Sequence, residues 1–428
     1  MGSLQLLMVL LPLQPPDSIS TALVAVALII VVTQLLGALL ERLAQPRVIG
    51  EILGGILLGP SFLGLVAPSL EAQLFAPAVV AQLNLLAQIG LALFMFLIGL
   101  ELNPALIGPR LPVASRITAV GMALPLALGS GLALWLESWQ PQLLPGDRSP
   151  GGILFMGTAM AITAFPVLAR ILRDRGLSGT PLGALAISVA AIDDLLSWIL
   201  LAAVVAYTRS GGLASTVPTL VLTAAWAAFL LLGLRPLRRW LAHHHQQRGS
   251  LGAGLEVVLL SGALVSGAVS DWIGVHLVFG AFLWGLAMPR NNALQRQLEQ
   301  RLRSAVLQLM LPLFFAISGL STRLESLDSP ELWAAALLVL AVAIAGKFTG
   351  AWATARLSGV PPREALALGW LMNTRGLTEL VVLNVGLGLG VISTQLFSIG
   401  VLMALSTTLM AGPLLERLGY GRQAVPEG

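Results

Sequence analysis

The chain is organised by one recurring feature. Thirteen apolar stretches, each close to the length a bilayer demands, follow one another from residue 18 to residue 415. A helix that spans a membrane needs about 20 mainly apolar residues. Hydrocarbon offers no water to backbone polar groups, so only helices and closed barrels cross it. The predicted spans are 18–41, 48–66, 82–101, 112–136, 151–172, 181–208, 214–234, 251–270, 273–289, 304–320, 331–355, 363–388 and 394–415. Charged residues make up 10% of the chain, against about 25% in a soluble domain. No polar stretch is long enough to fold by itself. The expected fold class is therefore an all-α integral membrane protein forming one transmembrane domain, without a soluble C-terminal regulatory domain. Leu4–Leu13 is apolar but lacks a basic flank and a small-residue cleavage site, so a cleaved signal peptide is not expected.

The positions of the basic residues test the span count. Of 24 lysines and arginines, Arg148, Arg209 and Arg323 fall in loops after even-numbered spans, and Lys347 and Arg375 lie inside spans. All the others lie at the opposite ends. A wrong count would scramble this alternation, so the positive-inside rule predicts an outside N-terminus and a cytoplasmic C-terminus; the expected location is a plasma membrane. The net charge of +4 therefore reflects membrane topology and not a nucleic-acid partner. With thirteen spans, helices 1–6 and 8–13 run in opposite senses about helix 7. That is the plan of an inverted repeat, inferred here from topology.

The fifth helix of each half carries helix-breaking features. Helix 5 contains Pro166 within GTAMAITAFPVLAR, and helix 12 contains Gly376 within GWLMNTRGLTELVVLN. Proline removes a donor and clashes with the preceding turn. Each could be a mere kink or packing glycine, but breaks at matching positions point to a midplane binding site.

Ionisable groups inside the bilayer cost about 2.5–3.5 kcal/mol each on insertion scales, and persist where they pair or work. Asp193 and Asp194 fall mid-helix 6, their side chains about 100° apart around the axis. Lys347, mid-helix 11, is the single lysine of the sequence. Lysine gives up its proton when buried far more readily than arginine does. A lysine paired with Asp193 would thus be a titratable switch. A plain salt bridge between helices 6 and 11 would explain Asp193 and Lys347 but leave Asp194 idle. Arg375 and Glu379, four apart on helix 12, are spaced to pair along one helix. A self-contained ion pair is the favoured reading there, with a transport or gating role as the alternative. Asn373, Thr374 and Thr378 complete this polar cluster. Glu51 and Glu256 are expected near the interface in structural roles, and His243, His244 and His245 in a solvated cytoplasmic loop. The sequence has no cysteine, which excludes disulfides and thiolate chemistry. No nucleophile–base set suggests an enzyme, and no cofactor is expected.

FMFLIGLEL in helix 3, TAFPVLARIL in helix 5, AISVAAIDDLLSWILLA in helix 6, GKFTG in helix 11 and MNTRGLTELVVLN in helix 12 together resemble the monovalent cation:proton antiporter family two. That family includes bacterial Na⁺/H⁺ antiporters, potassium efflux antiporters and plant cation/H⁺ exchangers. The resemblance implies a homodimer and an elevator motion. It implies core helices over about 112–208 and 331–415, dimerisation helices over about 18–101 and 251–320, and a linker over about 214–234. It implies that Asp194 binds cation and proton in turn, that Asp193 pairs with Lys347, and that Thr163 offers oxygens to the cation at the helix 5 break. The Asp193-Asp194 pair with a lysine is similar to electrogenic bacterial Na⁺/H⁺ exchangers. Plant exchangers commonly have Asn-Asp there, although helix 12 resembles theirs most. The expected substrates are Na⁺ or K⁺ and H⁺. A cation channel or uniporter and an organic-anion symporter on a related fold are the alternative functions.

Overall fold

Every predicted span is helical in the computed structural model of the chain, which describes residues 18–43, 45–101, 111–145, 150–210, 212–248, 252–289 and 292–420. Leu4–Leu13, Leu102, Arg110, Arg148, Arg290 and Arg422 lie outside these residues. The crossings are α1 (Ser18–Arg42), α2 (Arg47–Leu58), α3 (Pro77–Glu101), α4 (Leu111–Trp139), α5a (Pro150–Ala161) with α5b (Phe165–Asp174), α6 (Pro181–Ser210) and α7 (Leu213–Ala228). They continue as α8 (Ala253–Ile273), α9 (Leu277–Ala287), α10 (Leu311–Leu320), α11 (Pro330–Leu357), α12a (Pro362–Met372) with α12b (Leu377–Gly388), and α13 (Thr394–Arg417). Wide π-helical turns extend α7 through Phe229–Gly233 and lead into α10 over Ser304–Met310. Among the described residues eleven stretches are long and apolar enough to span, α2 when continued through Val66 and α10 as part of Ser304–Ser326. The remaining two crossings are the short α9 and the divided α12. Exposed Leu23, Leu35, Val221, Val265 and Leu337 point outward from this bundle. In water such a surface would drive aggregation; lipid is its natural solvent.

The structure corrects three expectations. Span 2 is not one unbroken helix: α2 stops at Leu58, where Gly59 and Pro60 turn the chain before a one-turn helix at Leu63–Val66. Pro60 cannot continue a helix, and a Cβ on Gly59 would come within 3.1 Å of Leu320 Cα. The turn between α8 and α9 lies beyond Asp271, at Gly274, whose φ of 107° only glycine adopts without strain. His243, His244 and His245 sit within a helix, Arg235–Arg248, and not in a loop. Its arginines are good helix formers, and Trp240 stacks on His244. Glu51, one turn into α2, is buried among its neighbours, and Glu256 pairs with Arg301.

Packing falls into two groups. Helices α4, α5, α6, α11, α12 and α13 pack mainly on one another, and so do α1, α2, α3, α8, α9 and α10. Helix α7 touches α6 on one side and α8 on the other. Exchanging the two halves of the chain maps the α2·α10 contact onto α9·α3, and both contacts are made backbone to backbone. A Cβ on Gly99 would meet Phe282 O at 2.2 Å, and one on Gly285 would meet Phe96 O at 2.1 Å. Likewise a Cβ on Gly55 would meet Ala316 O at 2.1 Å, and one on Gly319 would meet Ile52 O at 2.4 Å. Small residues that let backbones approach are the usual means of holding helices together where lipid removes the hydrophobic drive. Polar links between the two groups include Asn384 Nδ2 donating to Ser318 Oγ (2.9 Å), Arg323 N–H donating to Ser398 Oγ (2.9 Å), and the Arg170–Glu41 pair (2.6 Å).

Gly285→Leu is therefore expected to separate α3 from α9 and lower stability by about 1–3 kcal/mol, the cost of overpacking. Gly131→Leu, on an open face of α4 with nothing within 4 Å, should leave stability unchanged. Thermal unfolding of the two variants in detergent checks this; equal melting temperatures would refute the close packing.

Candidate functional site

The site grows out of the break in α5. An unbroken helix would bond the carbonyls of Ala159, Met160, Ala161 and Ile162 to the amides of Thr163, Ala164, Phe165 and residue 166. Residue 166 is proline and has no amide hydrogen, and residues before proline disfavour helix. The chain accordingly leaves the helix at 162–164, with Ala164 extended (φ −86°, ψ 96°), and Pro166 falls in the first turn of α5b, where no donor is missed. Four carbonyls at the end of α5a thus lose their partners in the middle of the bundle.

The two intramembrane cations satisfy them. Arg375 Nη1 donates to Ala159 O (2.7 Å) and reaches Ile162 O (3.5 Å), and Nη2 donates to Met160 O (2.8 Å). Lys347 Nζ donates to Ala161 O. Positive charge at a helix C-terminus also suits the helix dipole. The freed amides are taken up as well. Thr163 N–H donates to Asp193 Oδ2 (2.9 Å), and Ala164 N–H donates to Thr374 O (3.0 Å) in the break of α12. Thr163 Oγ1 donates to Met372 O (2.9 Å), a second tie between the breaks. The two interrupted helices therefore cross and complete each other's hydrogen bonding.

Around this crossing the charges pair off. Lys347 Nζ lies 3.0 and 3.1 Å from the two oxygens of Asp193, and both side chains are fully enclosed. Arg375 Nη1 donates to Glu379 Oε2 at 2.8 Å, with Glu379 in the first turn of α12b, where a carboxylate complements the helix N-terminus. This pair is more than the self-contained one the spacing suggested, because the same guanidinium holds α5a. Asp194 is different. It is 1% exposed and receives Thr378 Oγ1 at Oδ1 (3.2 Å) and the more distant Trp198 Nε1 at Oδ2 (3.4 Å). Among the described residues no cationic nitrogen lies within 4.0 Å of it. With both ion pairs neutral, Asp194 is the unbalanced charge of the crossing. Asn373 Oδ1, Glu379 Oε1 and Arg375 Nε are buried there without a hydrogen-bond partner.

Nine of the residues singled out in the sequence meet at one place: Thr163, Asp193, Asp194, Lys347, Asn373, Thr374, Arg375, Thr378 and Glu379 all lie at or beside the crossing. Sequence reasoning missed Trp198, one turn beyond Asp194, and Thr408 of α13, which holds the α12 break. Glu51 belongs elsewhere, in α2. No group of three histidine or acidic side chains arranged to hold a resident metal occurs among the described residues.

Two crossed, broken spans around a buried, uncompensated carboxylate define a secondary transporter. Residues 25–419 match the sodium/hydrogen exchanger transmembrane family, and the chain belongs to that family. It is 43% identical over 402 residues to the Na⁺/H⁺ antiporter NhaS4 of Synechocystis sp., covering 93% of this chain and 98% of that one. It is 40% identical to cation/H⁺ antiporter 20 of Arabidopsis thaliana and 34% identical to K⁺/H⁺ antiporter 1 of Saccharomyces cerevisiae, in each case over 91% of this chain. It spans 47% and 45% of those two longer proteins. The fold matches the sodium proton antiporter MjNhaP1 of Methanocaldococcus jannaschii, with a TM-score of 0.70 over 94% of this chain and 99% of that one, at 18% identity.

Lys347→Met should leave the Asp193 carboxylate buried alone and the Ala161 carbonyl uncapped. Removing one partner of a buried pair costs about 3–5 kcal/mol. The double change Lys347→Met with Asp193→Asn should recover much of that loss. Thermal unfolding across this cycle reads the coupling; additive losses would mean that the pair is not what holds α6 to α11 here.

Proposed function

We propose that this protein exchanges a monovalent cation, Na⁺ or K⁺, for protons across the membrane, with cation and proton competing for Asp194. The observation that carries this reading is the charge balance of the crossing. Asp193 has Lys347 and Glu379 has Arg375, whereas Asp194 has only weak neutral donors. A buried carboxylate without a counter-ion must take up a cation or a proton. Thr378 and Thr163 supply hydroxyl oxygens, Asn373 a free amide oxygen, and the breaks supply carbonyls of the kind that coordinate cations in broken-helix carriers. The names of the bacterial, plant and yeast relatives support the same substrates.

In this reading the deprotonated site binds the cation and the protonated site excludes it. The group formed by α4–α6 and α11–α13 moves as an elevator core against a frame of α1–α3 and α8–α10, joined through α7. The frame also forms a homodimer. The packing in two groups supports that division. The arginine distribution supports an outside N-terminus and a cytoplasmic C-terminus; the membrane of this proposal is the plasma membrane. Asp193 and Lys347 set the proton count of each cycle: Asp193 releases its claim on Lys347 when protonated.

Purified protein in liposomes with an internal pH dye and an imposed proton gradient tests this. Na⁺ or K⁺ should collapse the gradient with wild type, and Asp194→Asn should abolish the response. A folded wild type that answers no monovalent cation would sink the proposal. Asp193→Asn should change the charge moved per cycle and the pH dependence of the rate. If current and pH profile both stay at wild type, Asp193 and Lys347 have no part in proton counting.

A further inference from the structure

The break in α12 raises its own accounting question. In an unbroken helix the Arg375 amide would bond Leu371 O, and the Arg375 carbonyl would receive the amide of Glu379. Leu371 O is instead occupied by Thr374, through both its amide (3.1 Å) and its hydroxyl (2.8 Å). Both polar groups of Arg375's backbone would be stranded in the bundle interior. One side chain answers for both. Thr408 of α13 accepts from Arg375 N–H at Oγ1 (2.9 Å) and donates its hydroxyl hydrogen to Arg375 O (2.7 Å).

Several hydroxyls of the bundle spend their donor within their own helix. Thr407, its neighbour, bonds back to Met403 O on its own helix, as Thr33, Thr354 and Ser398 do to carbonyls four residues before them. That is the ordinary fate of a hydroxyl in an apolar helix. Thr408 instead spends its donor and an acceptor on another segment, and it is 2% exposed. The residue it holds is the one whose guanidinium closes α5a at Ala159 and Met160. The preceding carbonyl, Thr374 O, receives the Ala164 amide, and Thr378 follows three residues later against Asp194. Fixing Arg375's backbone therefore fixes both breaks relative to the carboxylate.

We propose that Thr408 is a positioning residue for cation binding, which sets through the Arg375 backbone where the oxygens of the α12 break and Thr378 stand relative to Asp194. The proposal rests on the antiport reading of the same site. Thr408 touches no ion; it acts through the bend. Its hydroxyl is what matters, so serine should serve where valine, of nearly equal shape, does not.

The test uses the full chain in liposomes, titrated with Na⁺ and with K⁺, for wild type, Thr408→Ser, Thr408→Val and Thr408→Ala. Alanine leaves the packing unstrained if valine impairs folding. Loss of both bonds should raise the apparent KM for the cation by about tenfold or more, the scale of stranding buried backbone groups. The ratio of the Na⁺ and K⁺ values should also change. Thr408→Ser should restore both. A merely structural role would lower the maximal rate in step with the folded fraction and leave KM and the ratio alone. That result in Val or Ala, or a serine variant as impaired as valine, overturns the proposal. Cation-induced thermal shifts of the same purified variants provide a second readout. If wild type binds cation but exchanges no protons, the antiport reading fails, while the order of the shifts still decides the role of Thr408.

Discussion

Everything around the crossing of the two broken helices depends on one constraint: four carbonyls at the end of α5a must find donors where water is scarce. A backbone acceptor left bare in a low-dielectric interior costs more than most single interactions return. The chain meets the demand with the side chains of Lys347 and Arg375. Each cation brings a carboxylate with it, because a buried charge alone would be costlier still. The acidic residues of the crossing are thus partly consequences of the break. Asp193 and Glu379 compensate the cations that compensate the carbonyls. Asp194 lies outside that chain of compensation.

The same constraint explains how much the sequence disclosed. Span number and order were legible because hydrocarbon thickness imposes a length and the chain has few charges to blur it. The interruption of α5 was legible from Pro166, although the chain leaves the helix before the proline, where its neighbours lose helical geometry. The pairing of Asp193 with Lys347 was legible from scarcity, since few groups were available as partners. Arg375 was harder. Its spacing from Glu379 suggested a local pair, and the sequence carries no mark of a reach to Ala159 and Met160, more than two hundred residues away. A donor census would have found it: a proline break exposes acceptors, and the spans contain two cations. Thr408 was invisible for a different reason, as it is one of several hydroxyls in apolar helices and only the fold tells which of them bonds away from its own helix. The end of α2 and the helix at Arg235–Arg248 were missed because mean apolarity and charge outweighed turn and helix propensity in the reading.

The glycine contacts between α2 and α10 and between α3 and α9 bear on how such a molecule can move. Where helices meet through interlocking side chains, rotamers can change and one surface can ratchet over the other. Where backbone rests on backbone there is no such deformable layer. A shift by one residue would replace Gly285 with Trp284 or Leu286, for which there is no room, so these four helices are keyed together like a dovetail joint. Displacement has to be taken up elsewhere, along seams closed by exchangeable polar links such as Asn384 with Ser318.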